Sequence, residues 1–160
     1  MRFIPFAILA ALFAFGAGCA HNDKPTDSAE SSAPRAAGGL AADSPMRGTL
    51  VEVSPRSPGQ RYRLDYYDGS EPDSSFKELS ARGLQGGGPT WAGIVTGLLR
   101  LRSPGVLARI ALDDEAEGLT VWSDDRAALE TIGRLIGAAK KDPALLNEAI
   151  ECAKREHAIE

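Results

Sequence analysis

The run Ile110-Ala111-Leu112-Asp113-Asp114-Glu115-Ala116-Glu117-Gly118-Leu119-Thr120-Val121-Trp122-Ser123-Asp124-Asp125 decides how this chain folds. Ile110 and Leu112 alternate with Arg109, Ala111 and Asp113, and on the return Leu119 and Val121 alternate with Thr120 and Trp122. Period-two alternation is the mark of a half-buried strand, and two such runs around a short polar loop read as a β-hairpin. Matching the aliphatic faces commits Ile110, Leu112, Leu119 and Val121 to the core. Trp122 and Thr120 then face the other way, because a one-residue slip would invert every side chain. The tip carries Asp113, Asp114, Glu115 and Glu117, and Gly118 is expected to close the loop with a positive φ. A helix follows at once, with Ser123 or Asp124 as its expected cap.

Downstream, Leu129, Ile132, Leu135, Ile136 and Ala139 form the apolar stripe of that helix. Asp142-Pro143 opens a last helix with Leu145, Leu146, Ala149, Ile150 and Ala153 inward. Cys152 borders this stripe and reads as a small buried hydrophobe. Upstream, Gly48–Val53 reads as a strand and Ser54–Gly59 as a turn. Arg61–Tyr67 is a second alternating strand with Tyr62, Leu64 and Tyr66 inward, and Asp68-Gly69 turns the chain. Ser74–Ala81 is a short helix around Phe76 and Leu79. The glycines between Gly83 and Pro89 do not make a phosphate loop, since Pro89 stands where the lysine is required. They let the chain turn sharply into a helix capped by Thr90, whose buried face is Trp91, Ile94, Val95, Leu98 and Leu99. Ser103-Pro104 starts a further short helical turn. The order β-β-α-α-β-β-α-α predicts an α+β fold: one small antiparallel sheet with helices on one face. The other sheet face then shows Glu52, Arg61, Arg63, Asp65, Tyr67, Arg109, Thr120 and Trp122. Charges around a Tyr and a Trp are the composition of a partner-binding surface. The same composition also suits a solvated face.

The N-terminus has a different purpose. Arg2, the apolar run Phe3–Phe15 and the small residues before Cys19 form an export signal too short to favour a membrane span. Gly16-Ala17-Gly18-Cys19 resembles the lipobox of bacterial lipoproteins, with Gly16 where Leu is usual. The resemblance implies cleavage after residue 18 and acylation of Cys19, with outer-membrane sorting because Ala20 follows. More than one acyl chain makes such an anchor stable. His21–Pro45 lacks large apolar residues apart from Leu40 and is expected to be a disordered tether reaching roughly 25–30 Å. The expected organisation is a signal peptide at 1–18, the lipidated Cys19 and linker at 19–46, and the folded domain at 47–160. With Cys19 acylated, Cys152 would have no disulfide partner.

Composition narrows the function. The net charge is −4 and no basic stripe is present, which argues against a nucleic-acid partner. Of the two histidines, His21 lies in the tether and His157 near an end expected to fray, so neither makes a good base or metal ligand. The tip carboxylates miss the spacing of a calcium loop. No catalytic residue, metal site or cofactor is implied, and no long apolar stripe is left over, so a monomer is expected.

Two segments carry a family resemblance. Gly87-Gly88-Pro89-Thr90-Trp91 leads into an amphipathic helix, and Ile110–Ala116, Gly118-Leu119 and Trp122-Ser123 form the hairpin. Together they resemble family-51 immunity proteins of bacterial polymorphic toxin systems over about Phe76 to Ala153. Trp91, Asp113, Glu115, Ala116 and Ser123 fall on matching positions. Pro89, Asp114, Leu112 and Leu119 depart from the usual residues. Gly87, Gly88, Thr90, Trp91, Gly118 and Ser123 are the motif positions expected to shape the structure. The resemblance implies a non-enzymatic inhibitor that binds one cognate toxin domain. In an envelope lipoprotein, that toxin is expected to act in the periplasm on peptidoglycan or lipid. Candidate contacts are Trp122, Tyr67, Arg61 and Arg63 on the sheet and Asp113, Asp114, Glu115 and Glu117 at the tip. The competing function is an envelope scaffolding or assembly lipoprotein with a resident partner.

Overall fold

The computed structural model describes residues 43–54 and 57–159, so the signal segment, Cys19 and nearly all of the tether lie outside the described residues. The hydrophobic alternations pair as expected. β1 (Thr49–Glu52) runs antiparallel to β2 (Tyr62–Tyr66), and β3 (Ala111–Asp114) with β4 (Leu119–Ser123) forms the hairpin. β2 also pairs with β4, giving a four-stranded antiparallel sheet in the order β1-β2-β4-β3. Leu64 lies opposite Val121, and Tyr66 opposite Leu119. All four are fully buried.

The helices are α1 (Phe76–Ala81), α2 (Gly88–Arg102), α3 (Arg126–Lys141) and α4 (Pro143–Arg155). Single 3-10 segments occupy Asp68–Ser70 and Pro104–Arg109. The fold is α+β. α2 is its hub, touching α3, α4 and both strands of the hairpin. Its expected face, Trp91, Ile94, Val95, Leu98 and Leu99, is buried throughout, as are the stripes of α3 and α4. Burial of this kind, rather than helix propensity, supplies most of the stability of such helices.

Several local expectations need correction. Thr90 does not cap α2. Pro89 lacks an N–H and fits the first turn of a helix, so α2 starts at Gly88, and Thr90 Oγ1 instead accepts from the Gly86 amide at 3.0 Å. Neither Ser123 nor Asp124 caps α3, because both are engaged elsewhere. Ser123 Oγ donates to the Arg109 carbonyl at 2.7 Å, and Asp124 accepts from the Gly59 and Arg61 amides at 2.8 and 3.1 Å. Asp125 is the cap, accepting from Ala127 and Ala128. Asp142 caps α4 as expected. Glu52 belongs to the other register row: it pairs with Tyr62, whose parity is that of Leu64 and Tyr66, so it does not join the open face. Phe76 does not anchor α1 in the core but stands exposed, while Leu79 is buried.

Both ends of the folded body are tied down. After α4 the chain does not fray. His157 takes a positive φ of 54°, and the amides of His157 and Ala158 bond back to the carbonyls of Lys154 and Ala153 at 3.1 and 2.9 Å. This Schellman turn brings Ile159 against the core. At the other end, packing begins before residue 47, since Ser44 is already buried. Pro45–Arg47 lies along α3 so closely that a Cβ on Gly137 would fall 2.0 Å from the Pro45 carbonyl oxygen. The Arg47 amide donates to the Gly133 carbonyl at 2.9 Å.

Candidate functional site

Asp68 sits in what reads as an ordinary turn, yet it is buried and receives four donors. Tyr66 hydroxyl donates at 2.9 Å, Ser74 hydroxyl at 3.0 Å, the Ser75 amide at 2.8 Å and Lys140 Nζ at 2.5 Å. The Lys140 side chain is as buried as its partner, with 1% exposure for each. The Lys140 ammonium also lies 5.8 Å from the centre of the Trp91 ring, and Trp91 meets Tyr66 edge-on at 4.9 Å. Asp73 extends the network, 3.5 Å from Lys140 and paired with Arg47, which also holds Glu71. Together these contacts fix segment 68–75 to the last turn of α3. Burial, and then the neighbouring Asp68 charge, raise the Tyr66 phenol well above its ordinary pKa, so it stays a donor.

The network makes a pH prediction. Burial works to raise the Asp73 carboxyl, but Lys140 and Arg47 outweigh it and hold Asp73 below the usual carboxylate range. A depressed folded pKa adds stability above the unfolded value of about 4, and that stability is lost as pH falls through the folded value. Thermal melts between pH 3 and 6 are expected to show Asp73→Asn with a flatter acid limb than wild type. The difference is modest, because the Asp73 side chain is half exposed. Equal acid limbs would remove Asp73 from the linkage.

Segment 68–75 borders the hairpin tip. Glu115 donates its amide to the Gly118 carbonyl at 2.9 Å, closing a tight turn over Ala116 and Glu117. The tip rests on the start of α2: a Cβ on Gly88 would lie 2.1 Å from the carbonyl oxygens of Glu115 and Gly118, and one on Gly87 would lie 2.0 Å from that of Ala116. The two segments singled out in the sequence are therefore one joint, and its glycines are spacers. Gly118 is not in the left-handed region; among the described residues the positive-φ glycines are Gly48, Gly59, Gly83 and Gly86. A side chain at Gly118 would displace the Tyr67 ring, which lies over the glycine 2.2 Å from where a Cβ would stand. Between the tip and segment 68–76 opens a groove of about 600 Å³, lined by Tyr67, Gly69, Ser70, Phe76, Gly87 and Glu117 among others.

This joint lies within the region that comparison recognises. The family model described as Immunity protein 51 matches residues 60–155, more than half of the chain. The chain belongs to the immunity protein 51 family. Membership of that family implies toxin neutralisation in general, by proteins that are generally not enzymes. No curated protein and no solved structure matches the chain.

Within this immunity protein the candidate contacts separate into groups. Trp122 is half-buried in the middle of the open sheet face, opposite Arg63, whose guanidinium lies 5.6 Å from the indole centre. Arg63 also pairs with Asp65, which accepts from Thr120 at 3.0 Å. Much of that face is thus engaged with itself. Arg61 pairs with Glu52 and lies over the Tyr62 ring. Tyr67 lines the groove together with Glu117, while Asp113 and Asp114 stand on β3 and Glu115 at the turn. Sequence reasoning missed Asp68 and Lys140. A signal was present for Lys140, which continues the buried Ile132–Ile136 stripe at the next i+4 position. Cys152 is fully buried as expected, but it is a disulfide cysteine and not a free thiol.

Proposed function

We propose that this chain is an exported, envelope-held immunity protein that neutralises one cognate toxin by binding it, without chemistry of its own. The family match across the folded body carries this reading. The export-type N-terminus supports an envelope address, through acylated Cys19 on the periplasmic side of the outer membrane. A toxin met there is one that attacks peptidoglycan or lipid. The full mature chain is expected to co-purify with the product of a neighbouring toxin gene, and its deletion to sensitise cells to their sisters. Neither effect, with an envelope defect in the absence of any toxin, would favour the scaffolding function instead.

One observation favours a second reading of the anchor. Cys152 is a disulfide cysteine, and the chain has only one other cysteine, Cys19. A sulfur in a disulfide cannot also carry a thioether-linked lipid. A disulfide within the chain fastens the protein to nothing outside itself, so in this second reading the protein is exported without a lipid anchor. Intact mass separates the two: acylation adds a large apolar mass, whereas a disulfide removes two hydrogens.

A further inference from the structure

We propose that the groove between Tyr67 and Phe76 receives a lysine or arginine side chain from a loop of the cognate toxin, steered there by the acidic hairpin tip. This rests on the toxin-binding reading above and goes further by naming the surface and the chemistry of what enters it.

Tyr67 and Phe76 are the large hydrophobic side chains left exposed among the described residues, at 47% and 56%. They come from different elements, the end of β2 and the start of α1, yet both line the same groove. Scattered exposed apolar residues need no explanation, but two that converge on one concavity do. Each ring is seated on a glycine. The Tyr67 ring lies over Gly118, and a Cβ on Gly86 would come within 2.9 Å of the Phe76 ring. A side chain at either glycine would push its ring out of place. Rings fixed before binding lose little freedom on binding, which is how an aromatic anchor becomes a hot spot.

The sign of the charge selects the occupant. Asp113, Asp114, Glu115 and Glu117 are exposed, and none of them has an ion pair among the described residues. Nearby arginines are already committed, Arg47 to Glu71 and Asp73, and Arg63 to Asp65. No lysine or arginine lines the groove. An aromatic-walled slot with Glu117 in its lining and three further tip acids within four residues of it in the chain fits a long cationic side chain, whose alkyl stem lies against the rings while its head meets Glu117. It repels phosphate and other anions. The ionic node behind it, Asp68 with Lys140, holds the segment that carries Gly69 and Ser70 of the groove floor.

The test uses the full mature chain and the neighbouring gene's toxin domain, inactivated at its catalytic residue. The double variant Tyr67→Ala/Phe76→Ala is expected to weaken binding about 100-fold or more. Glu115→Gln/Glu117→Gln is expected to slow association about 10-fold at low salt and to flatten its dependence on ionic strength. Thermal melts check that the exposed-site variants remain folded. If wild type binds the toxin and the double aromatic variant binds within about 3-fold of it, the groove is overturned while the immunity reading stands. A loss confined to Trp122→Ala likewise moves the contact to the open sheet face and overturns the groove. Absence of any toxin binding by wild type overturns both.

Discussion

Lys140→Met lowers the unfolding free energy of the domain by about 3–5 kcal/mol. Methionine keeps most of the side-chain length, so packing against the Trp91 ring is nearly preserved. What is lost is the cation 2.5 Å from a carboxylate that has 1% exposure. Asp68 keeps its three remaining donors, Tyr66, Ser74 and the Ser75 amide, but its charge is stranded, and removing one partner of a buried pair is costly for that reason. Domains of this size are typically stable by about 5–15 kcal/mol, so the urea midpoint should fall by a large fraction. The double variant Lys140→Met/Asp68→Leu is expected to recover part of the loss, since replacing both partners by apolar groups removes the stranded charge. A single variant within 1 kcal/mol of wild type would show that the pair is not isolated from water.

Trp91→Ala is expected to cost about 3–5 kcal/mol as well, by a different route. Trp91 is fully buried at the first turn of α2, where sheet, α2 and α3 converge through Tyr66 and Lys140. Its removal leaves a cavity between Tyr66 and Lys140, which both meet its ring. Trp91→Phe is the informative comparison. The indole Nε1 is buried without a hydrogen-bond partner, so phenylalanine gives up no hydrogen bond while keeping a ring for Tyr66 and Lys140. Calorimetry should place it nearer wild type than alanine. If phenylalanine costs as much as alanine, a single ring at this position does not hold the junction and the packing account fails.

These two residues show why some of the molecule was legible in the sequence and some was not. Trp91 belongs to a helical stripe, and stripes and alternations are repeated signals. For that reason the sheet, the register of the hairpin and the buried faces of α2, α3 and α4 followed from spacing alone. Caps are single decisions among neighbours that can all do the job. Asp125 caps α3 because Ser123 and Asp124 are claimed by Arg109 and by the β1–β2 turn, contacts more than ten residues away in sequence. Asp68-Gly69 had the composition of a solvated turn, and only Lys140, 72 residues later, makes it a buried node. At the groove, Tyr67 and the tip acids are legible as surface residues, whereas Phe76 reads only as one of two apolar residues of a short helix. The closeness of its ring to Gly86 is a matter of three-dimensional packing and leaves no periodic trace.

The strip Pro45–Arg47 along α3 has a mechanical consequence. Tension arriving along the chain from upstream reaches this strip before it reaches β1, an edge strand paired on one side only. The strip is pressed against Gly133 and Gly137, bonded by the Arg47 amide and moored by the Arg47 ion pairs to Glu71 and Asp73. It acts as a strain relief, like the grip where a cable enters its housing. A pull on the chain from its N-terminal side is taken up by α3 at the back of the sheet, and the strand edge is spared from unzipping. If the protein is held by its N-terminus while a toxin is captured at the groove, the grip keeps the force of that capture out of the hairpin.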